Sequence, residues 1–387
     1  MVYGGVRLDV MRTWDRPAFW PTFSCQVRSA ALTARLGRML GIAFGICFVT
    51  GLISRYQYTP WSWVAIPAVP VWGYRLTQGV HVITGIAAIP LLLVKLWSVA
   101  PKLFEWPPIR SVAHGLERLS IAVLVSASLL ELISGLLNVL NWYPWPWSFI
   151  DVHHWLAWVI AGSVLLHVAI KLPLIRRGLR EPLAGASSAA APAGISRRGV
   201  LIATGAGVGL VAATTVGQVV TPLESVALLA PRRPSHGPQR VAINRTAEQA
   251  GVRGAATSPS YRLTVLGPRP FDLDLAALEA LPSVERDLPI ACVEGWGVGA
   301  RWAGPPLLDL VKRAGGTADD KVVVRSLEQI GAYRASTIRG PQLRAALLAT
   351  HLNGQRLDLD HGYPVRLIAP DRAGVFNTKW ITRIEIR

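Results

Sequence analysis

The chain has 387 residues, 51% hydrophobic and only 16% charged. That is too apolar for one soluble domain and excludes a disordered chain. Its formal net charge is +17, and its three cysteines exclude both a disulfide framework and a Cys-rich zinc site. Residues 1–223 hold 18 basic and 7 acidic side chains. This excess flanks apolar segments, which membrane topology explains better than nucleic acid, so no nucleic-acid partner is expected.

A membrane helix needs roughly 20 apolar residues, and five segments come forward in chain order. Met39–Ser54 is a short uncharged run that extends by a turn at each end. Leu76–Val94, Leu119–Leu140 (broken only by Glu131), Val152–Ile170 and the uncharged Gly199–Leu223 follow. The connections Pro60–Trp72 and Asn141–Ile150 are rich in Trp and Pro. Their Trp61, Trp63, Trp72, Trp142, Trp145 and Trp147 suit a membrane–water interface.

Orientation follows from the basic residues of the connections. Arg7, Arg12, Arg16, Arg28, Arg35 and Arg38 precede the first span. Lys95, Lys102, Arg110 and Arg118 lie in the second connection. Lys171, Arg176, Arg177, Arg180, Arg197 and Arg198 lie in the fourth. The alternate connections carry only Arg55 and Arg75. The positive-inside rule then predicts a cytoplasmic N-terminus and an inner-membrane, multi-pass protein in contact with lipid. Its C-terminal domain falls on the extracytoplasmic side. Met1–Arg38 is too basic for a cleavable signal, and Glu181–Gly194 reads as a flexible linker. The predicted organisation is a cytoplasmic tail over 1–38, a four-helix membrane domain over 39–175 and a cytoplasmic linker over 176–198. A fifth membrane helix over 199–223 and an exported domain over 224–387 complete it.

Five of the eight histidines lie in or beside the first four spans: His81, His114, His153, His154 and His167. Ionisable groups in hydrocarbon are costly and ask for a partner or a function, and imidazole is a common axial ligand of haem iron. His153 and His167 return to within about 40° of one helix face, about 21 Å apart along the axis. This spacing would let one helix ligate two haems stacked across the bilayer. By depth, His81 pairs with His153 on the outer side and His114 with His167 on the inner side. The alternative is interfacial or hydrogen-bonded histidine, which is the reading given to His154, about 140° from His167. Glu131 lies mid-span, where a proton path, a quinone site or an internal ion pair would use it. Cys47 reads as packing, and Arg55 and Arg75 as interfacial arginines with haem propionates as the alternative. In this histidine placement, residues 35–175 resemble the bacterial di-haem cytochrome b family of four-helix membrane subunits. The resemblance implies two haems b.

Ser196-Arg197-Arg198-Gly199-Val200-Leu201 precedes the fifth span. It resembles the twin-arginine export signal, which carries folded cargo, although positive-inside flanking accounts for the same arginines.

Beyond it, Tyr261–Gly267, Lys321–Leu327, Val365–Ala369 and Trp380–Arg387 read as strands. Pro306–Ala314 and Pro341–Thr350 read as helices. The fold class is therefore multi-domain: an all-α transmembrane four-helix bundle plus a fifth membrane helix, then an α+β domain.

Three stretches carry the chemistry: Ile290-Ala-Cys-Val-Glu-Gly-Trp-Gly-Val-Gly-Ala-Arg-Trp-Ala-Gly304, Leu352–Arg366 with its His-Gly-Tyr-Pro-Val-Arg, and Asn377–Glu385. In that order they resemble the molybdopterin domain of the sulfite oxidase family. The bacterial branch that includes the protein-methionine-sulfoxide reductase catalytic subunit is the nearest likeness. The resemblance implies that Cys292 ligates molybdenum, a role a soft thiolate suits. It implies cofactor contacts from His361 and Arg366, and a phosphate or pterin cradle from Asn377, Thr378 and Lys379. Ser326 falls where a small hydroxyl lines the site. Asn244 and Glu248 fall at the family's pocket entrance, with Ala247 where a Tyr is expected. Glu294 is read as structural and Arg301 as a solvated arginine or an oxyanion attractor. His236 and His351 receive no role. The sequence stops at Arg387, where sulfite oxidases proper continue into an immunoglobulin-like domain, so neither that dimer nor sulfite is the first expectation.

The expected function is a membrane-bound molybdenum oxidoreductase coupling oxo transfer outside to haem b and quinone or quinol. Its substrate is a small S- or N-oxide or an oxidised protein side chain. A sulfite-type oxidase passing electrons inward, or a haem-free anchored molybdoenzyme served by a soluble cytochrome, is the alternative.

Overall fold

The computed structural model describes residues 27–61, 63–183, 196–331 and 333–387. Arg7, Arg12, Arg16 and most of the predicted linker lie outside them. Among the described residues, five helices are each long and apolar enough to cross a membrane: α1 (Ala30–Tyr58), α2 (Gly73–Leu103), α3 (Val112–Val139), α4 (Phe149–Arg180) and α5 (Arg197–Val216).

Two ends depart from the apolar runs. α1 begins nine residues before Met39. Its first turns are good helix formers, and Arg35 there donates to the carbonyls of Gly178 (3.2 Å) and Glu181 (2.9 Å) at the end of α4. α5 stops at Val216, short of the predicted Leu223. A Cβ at Gly217 would meet the Leu223 carbonyl, and Pro222 lies in the first turn of a 3₁₀ segment, Thr221–Val226.

The described chain forms two compact units, and the long helices contribute to both. The first comprises Met1–Gly41, Ile89–Glu131 and Trp155–Ala206. Its helices are tied by polar groups. Lys95 Nζ donates to the Thr33 carbonyl at 2.7 Å, and Lys171 pairs with Glu117. Gly178 admits the Ala30 backbone where a Cβ would not fit.

The second unit comprises Ile42–Ala88, Leu132–His154 and Gly207–Arg387. Its C-terminal part is α+β. Short helices α6 (Arg253–Ala256), α7 (Leu275–Glu279), α8 (Leu307–Arg313) and α9 (Gly340–Ala345) accompany eleven strands. These are β1 (Leu263–Leu266), β2 (Phe271–Leu273), β3 (Val284–Ala291), β4 (Gly297–Gly304), β5 (Val322–Ser326) and β6 (Ala335–Ile338). β7 (Leu347–Ala349), β8 (His351–Leu352), β9 (Gln355–Arg356), β10 (Arg366–Ile368) and β11 (Ile381–Ile386) follow.

One sheet runs β2-β1-β11-β5-β6, with only the β1–β11 pair parallel. A second runs β3-β4-β8-β9, and β10 pairs with β7. Leu263, Val265, Leu307, Val311, Leu343 and Ile384 are fully buried between the first sheet and its helices. Each such side chain contributes roughly 1.5–3 kcal/mol of burial. The predicted helix Pro341–Thr350 is corrected here. It ends at Ala345, because Leu347–Ala349 are all buried and pair antiparallel with Arg366–Ile368.

The hairpin β3–β4 is in continuous register from Val284↔Gly304 to Ala291↔Gly297. Leu288, Ile290, Val298, Trp302 and Ile368 bury its inner face. This second core holds the turn between the two strands, Cys292–Trp296.

Candidate functional site: a thiol in a cationic cleft

Cys292 begins the β3–β4 turn. Its N–H donates to the Trp296 carbonyl at 2.9 Å, and the Gly295 N–H donates back to the Cys292 carbonyl at 3.1 Å. Gly295 turns the chain with φ +95°, which a side chain there would strain. Glu294 is buried and pairs with Arg232 at 2.7 Å, while Trp296 Nε1 donates to it at 3.1 Å. Glu294 therefore braces the turn. The thiol is 3% exposed and faces a small cleft. Burial, with the Glu294 charge adding to it, pushes the Cys292 thiol up to about 12. It is protonated at neutral pH, and a bound metal has to displace that proton.

Four further residues expected at the site line the same cleft: Asn244, His361, Arg366 and Lys379. His361 is buried on a 3₁₀ turn capped by Asp358. Its Nε2 donates to the Pro238 carbonyl at 2.7 Å, which leaves the lone pair on Nδ1. Burial, then Arg366, holds it down to about 4, so it is neutral.

Arg366 lies over the Trp302 ring and donates to the carbonyls of His361 (2.9 Å) and Asn377 (3.1 Å). Its Nε is buried without a hydrogen-bond partner. Lys379 Nζ donates to the carbonyls of Arg245 and Asp360, both at 2.8 Å. Burial, then Arg366, lowers it to about 7. A cleft joining an unpartnered guanidinium nitrogen, a depressed lysine and a thiol suits an anion and a soft metal. A metal–pterin group ending in phosphate supplies both.

The other expected residues do different work. Asn377 Oδ1 accepts the Ala369 N–H at 3.0 Å, and Thr378 Oγ1 meets Ser336 Oγ at 2.6 Å. Both brace the backbone behind Arg366. Ser326 Oγ accepts the Glu328 N–H at 3.1 Å, and Glu248 is exposed; neither lines the cleft. Arg301 is exposed on β4 and paired with Asp287 and Glu285. Sequence reasoning missed Arg372, which is buried with its Nε unpartnered and lies over the Phe376 ring.

The family Oxidored_molyb, oxidoreductase molybdopterin binding domain, matches residues 250–387. The C-terminal domain is a molybdopterin-binding oxidoreductase domain of the sulfite oxidase family. Mouse mitochondrial sulfite oxidase is 30% identical over 158 residues, covering 33% of this chain and 29% of that protein. The protein-methionine-sulfoxide reductase catalytic subunit MsrP of Burkholderia mallei is 32% identical over 142 residues, covering 32% and 43%. Chicken sulfite oxidase is 33% identical over 164 residues, covering 34% and 36%. The chain thus spans less than half the length of these relatives.

In the same unit as the molybdopterin domain, α2 and α4 bring His81 and His153 together. Their rings lie 6.0 Å apart, edge to face. His81 Nδ1 donates to the Cys47 carbonyl at 2.8 Å, which puts the lone pair on Nε2. Gly51 opens space beside His81, since a Cβ would stand 2.8 Å from its Cε1, and Gly135 packs beside His153, where a Cβ would make ordinary contact at 3.5 Å. In the first unit, His114 and His167 both lie within electrostatic reach of Glu117, and His114 Nδ1 accepts the Arg110 N–H at 3.2 Å. Arg55 pairs with Asp151 at 3.1 Å, and Arg75 donates to the Val219 carbonyl beyond α5. Those contacts account for both arginines without haem propionates.

Proposed function

We propose that the chain is a membrane-bound molybdenum oxidoreductase. It couples oxo transfer on the extracytoplasmic face to haem b electron transfer with the quinone pool, and it reduces an S- or N-oxide. The observation that carries this reading is a single compact unit holding both the Cys292 cleft and an imidazole pair 6.0 Å apart.

Molybdenum held by Cys292 and a pterin dithiolene supplies two-electron oxo-transfer chemistry when bound. The chain's own residues do the rest. Cys292 releases its proton on ligation. Arg366 and Lys379 would hold the anionic end of the cofactor. Neutral His361 offers Nδ1 as an acceptor, and Asn244 closes the same wall. Asn377 and Thr378 keep Arg366 in place. His81 with His153, and His114 with His167, would hold two haems b. Quinone or quinol is the membrane partner.

The basic connections orient the N-terminus to the cytoplasm, and Arg197-Arg198 lead the folded molybdopterin domain through a twin-arginine route. Similarity to MsrP supports an oxidised protein side chain or small sulfoxide as substrate. The sulfite oxidases among the relatives favour the second reading, in which sulfite is oxidised and electrons pass inward. Arg301, paired away from the cleft, weighs against an oxyanion substrate.

One experiment tests the whole. Purified protein is assayed for molybdenum and for a reduced-minus-oxidised b-type band. The reduced form is then mixed with sulfoxides and N-oxides, and the oxidised form with sulfite. Haem reoxidation by an S- or N-oxide is expected. No molybdenum sinks the reading; molybdenum without a b-type band leaves an anchored enzyme served by a soluble cytochrome.

A further inference from the structure

The Cys292 turn is held by side chains of the long helices. Gln78 Nε2 on α2 donates to the Val293 carbonyl at 2.9 Å. Asn138 Nδ2 on α3 donates to the same carbonyl at 3.0 Å. Both amides are buried, at 8% and 5% exposure. The Tyr143 hydroxyl donates to Asn138 Oδ1 at 2.8 Å, which orients the amide so that its nitrogen faces Val293. The turn also presses on α2 directly, because a Cβ at Gly295 would stand 2.7 Å from the Val82 side chain.

The positions of these donors along their helices matter. Gln78 lies one helical turn before His81, on the same face, and Val82 follows His81 directly. Asn138 lies one turn after Gly135, which packs against His153. Both arms of the fork start at the residue next to Cys292; one ends a turn from His81, the other a turn from the glycine that packs on His153. A buried carbonyl that accepts two amide N–H groups is held from two helices at once.

We propose that this fork, Gln78 and Asn138 on the Val293 carbonyl, is the bridge that fixes the metal-ligand turn against the imidazole pair and sets electron exchange between the two centres. The proposal rests on the function given above. Gln78 and Asn138 are positioning residues. Each passage moves one electron, oxidising one centre and reducing the other, with no bond made or broken in the bridge. Quinol releases two electrons and two protons as it becomes quinone. Two passages and two protons convert one S- or N-oxide into the sulfide or amine and one water.

The test uses the full chain in detergent with Gln78→Leu, Asn138→Leu and the double variant. Gln78→Glu and Asn138→Asp serve as near-isosteric versions that replace the donating amide. Amide hydrogen exchange of residues 290–298 is read first, and it requires no turnover. Losing one bond to the carbonyl should speed exchange there by about fivefold, and the double variant should exceed either single. Haem reoxidation after mixing with an S-oxide should slow by a similar factor, with haem absorbance and molybdenum content unchanged. A double variant with wild-type exchange and wild-type reoxidation overturns the bridge alone. Absence of haem from the wild-type protein overturns the function it rests on.

Discussion

The carboxylate of Asp371 accepts the backbone N–H of Tyr74, so a side chain of the molybdopterin domain caps the first turn of α2. Gln57 Nε2 on α1 donates to the same oxygen at 2.7 Å, and Thr77 Oγ1 donates to Gln57 Oε1 at 3.0 Å. Gly73 leaves the space this needs, because a Cβ there would stand 2.5 Å from Asp371 Oδ1. Losing a cap costs about 1 kcal/mol, and stranding a buried donor costs about 1–3 kcal/mol. Asp371→Ala and Gly73→Ala should each lower the thermal midpoint of the full chain in detergent by several degrees. Asp371→Asn keeps an acceptor and should retain most of the stability. Equal losses in Asn and Ala variants would refute the capping role.

This contact also shows where the sequence was legible and where it was not. Cys292 could be read because its neighbours, Val-Glu-Gly-Trp, build a local turn whose needs are local. Arg366 could be read because it follows His361 within one short motif. Asn377 and Thr378 lie in an equally plain motif, yet they satisfy backbone and Ser336 groups, a choice made by tertiary packing. Gln78 and Asn138 carry no pattern at all, since their partner Val293 is 215 and 155 residues away. Helical periodicity in Pro341–Thr350 was overridden by one antiparallel pairing with β10.

Cys292→Ser should abolish molybdenum retention and oxo-transfer activity while leaving the fold intact. A serine hydroxyl is a harder donor and much less readily deprotonated in this buried turn. The two shapes are close, and the wild-type group is a protonated thiol before metal arrives. Metal analysis and a thermal melt of the metal-free protein separate the effects. Full molybdenum content in the variant would disprove ligation.

Lys379 makes the cofactor-free protein sensitive to alkaline pH. Its folded value, about 7, lies below the unfolded value of about 10.4. Between them the unfolded chain binds the extra proton, so stability rises with pH from about 7 to 10, by at most about 1.4 kcal/mol per pH unit. Lys379→Met should flatten that slope in denaturant titrations of the cofactor-free chain. The same group should take up a proton as an anionic cofactor docks, so loading should tighten as pH falls from about 10 toward 7. An unchanged slope in the variant would show that Lys379 titrates normally.

The imidazole pair offers a test that separates ligation from packing. The Cys47 carbonyl fixes the His81 tautomer, and a ligand whose other nitrogen donates in this way is held in orientation and made more basic. Gly51 stands against the same ring. His81→Ala should remove about half of the b-type absorbance if each imidazole pair holds one haem. Gly51→Val should instead shift the band or the reduction potential, because its side chain must push the His81 ring aside. A packing histidine would give neither change, and a full two-haem spectrum in His81→Ala would remove the pair from the wire. The two variants fail differently if only the geometry is wrong: loss of haem in both would mean that Gly51 shapes the pocket itself, while loss in His81→Ala alone assigns the iron to the imidazole.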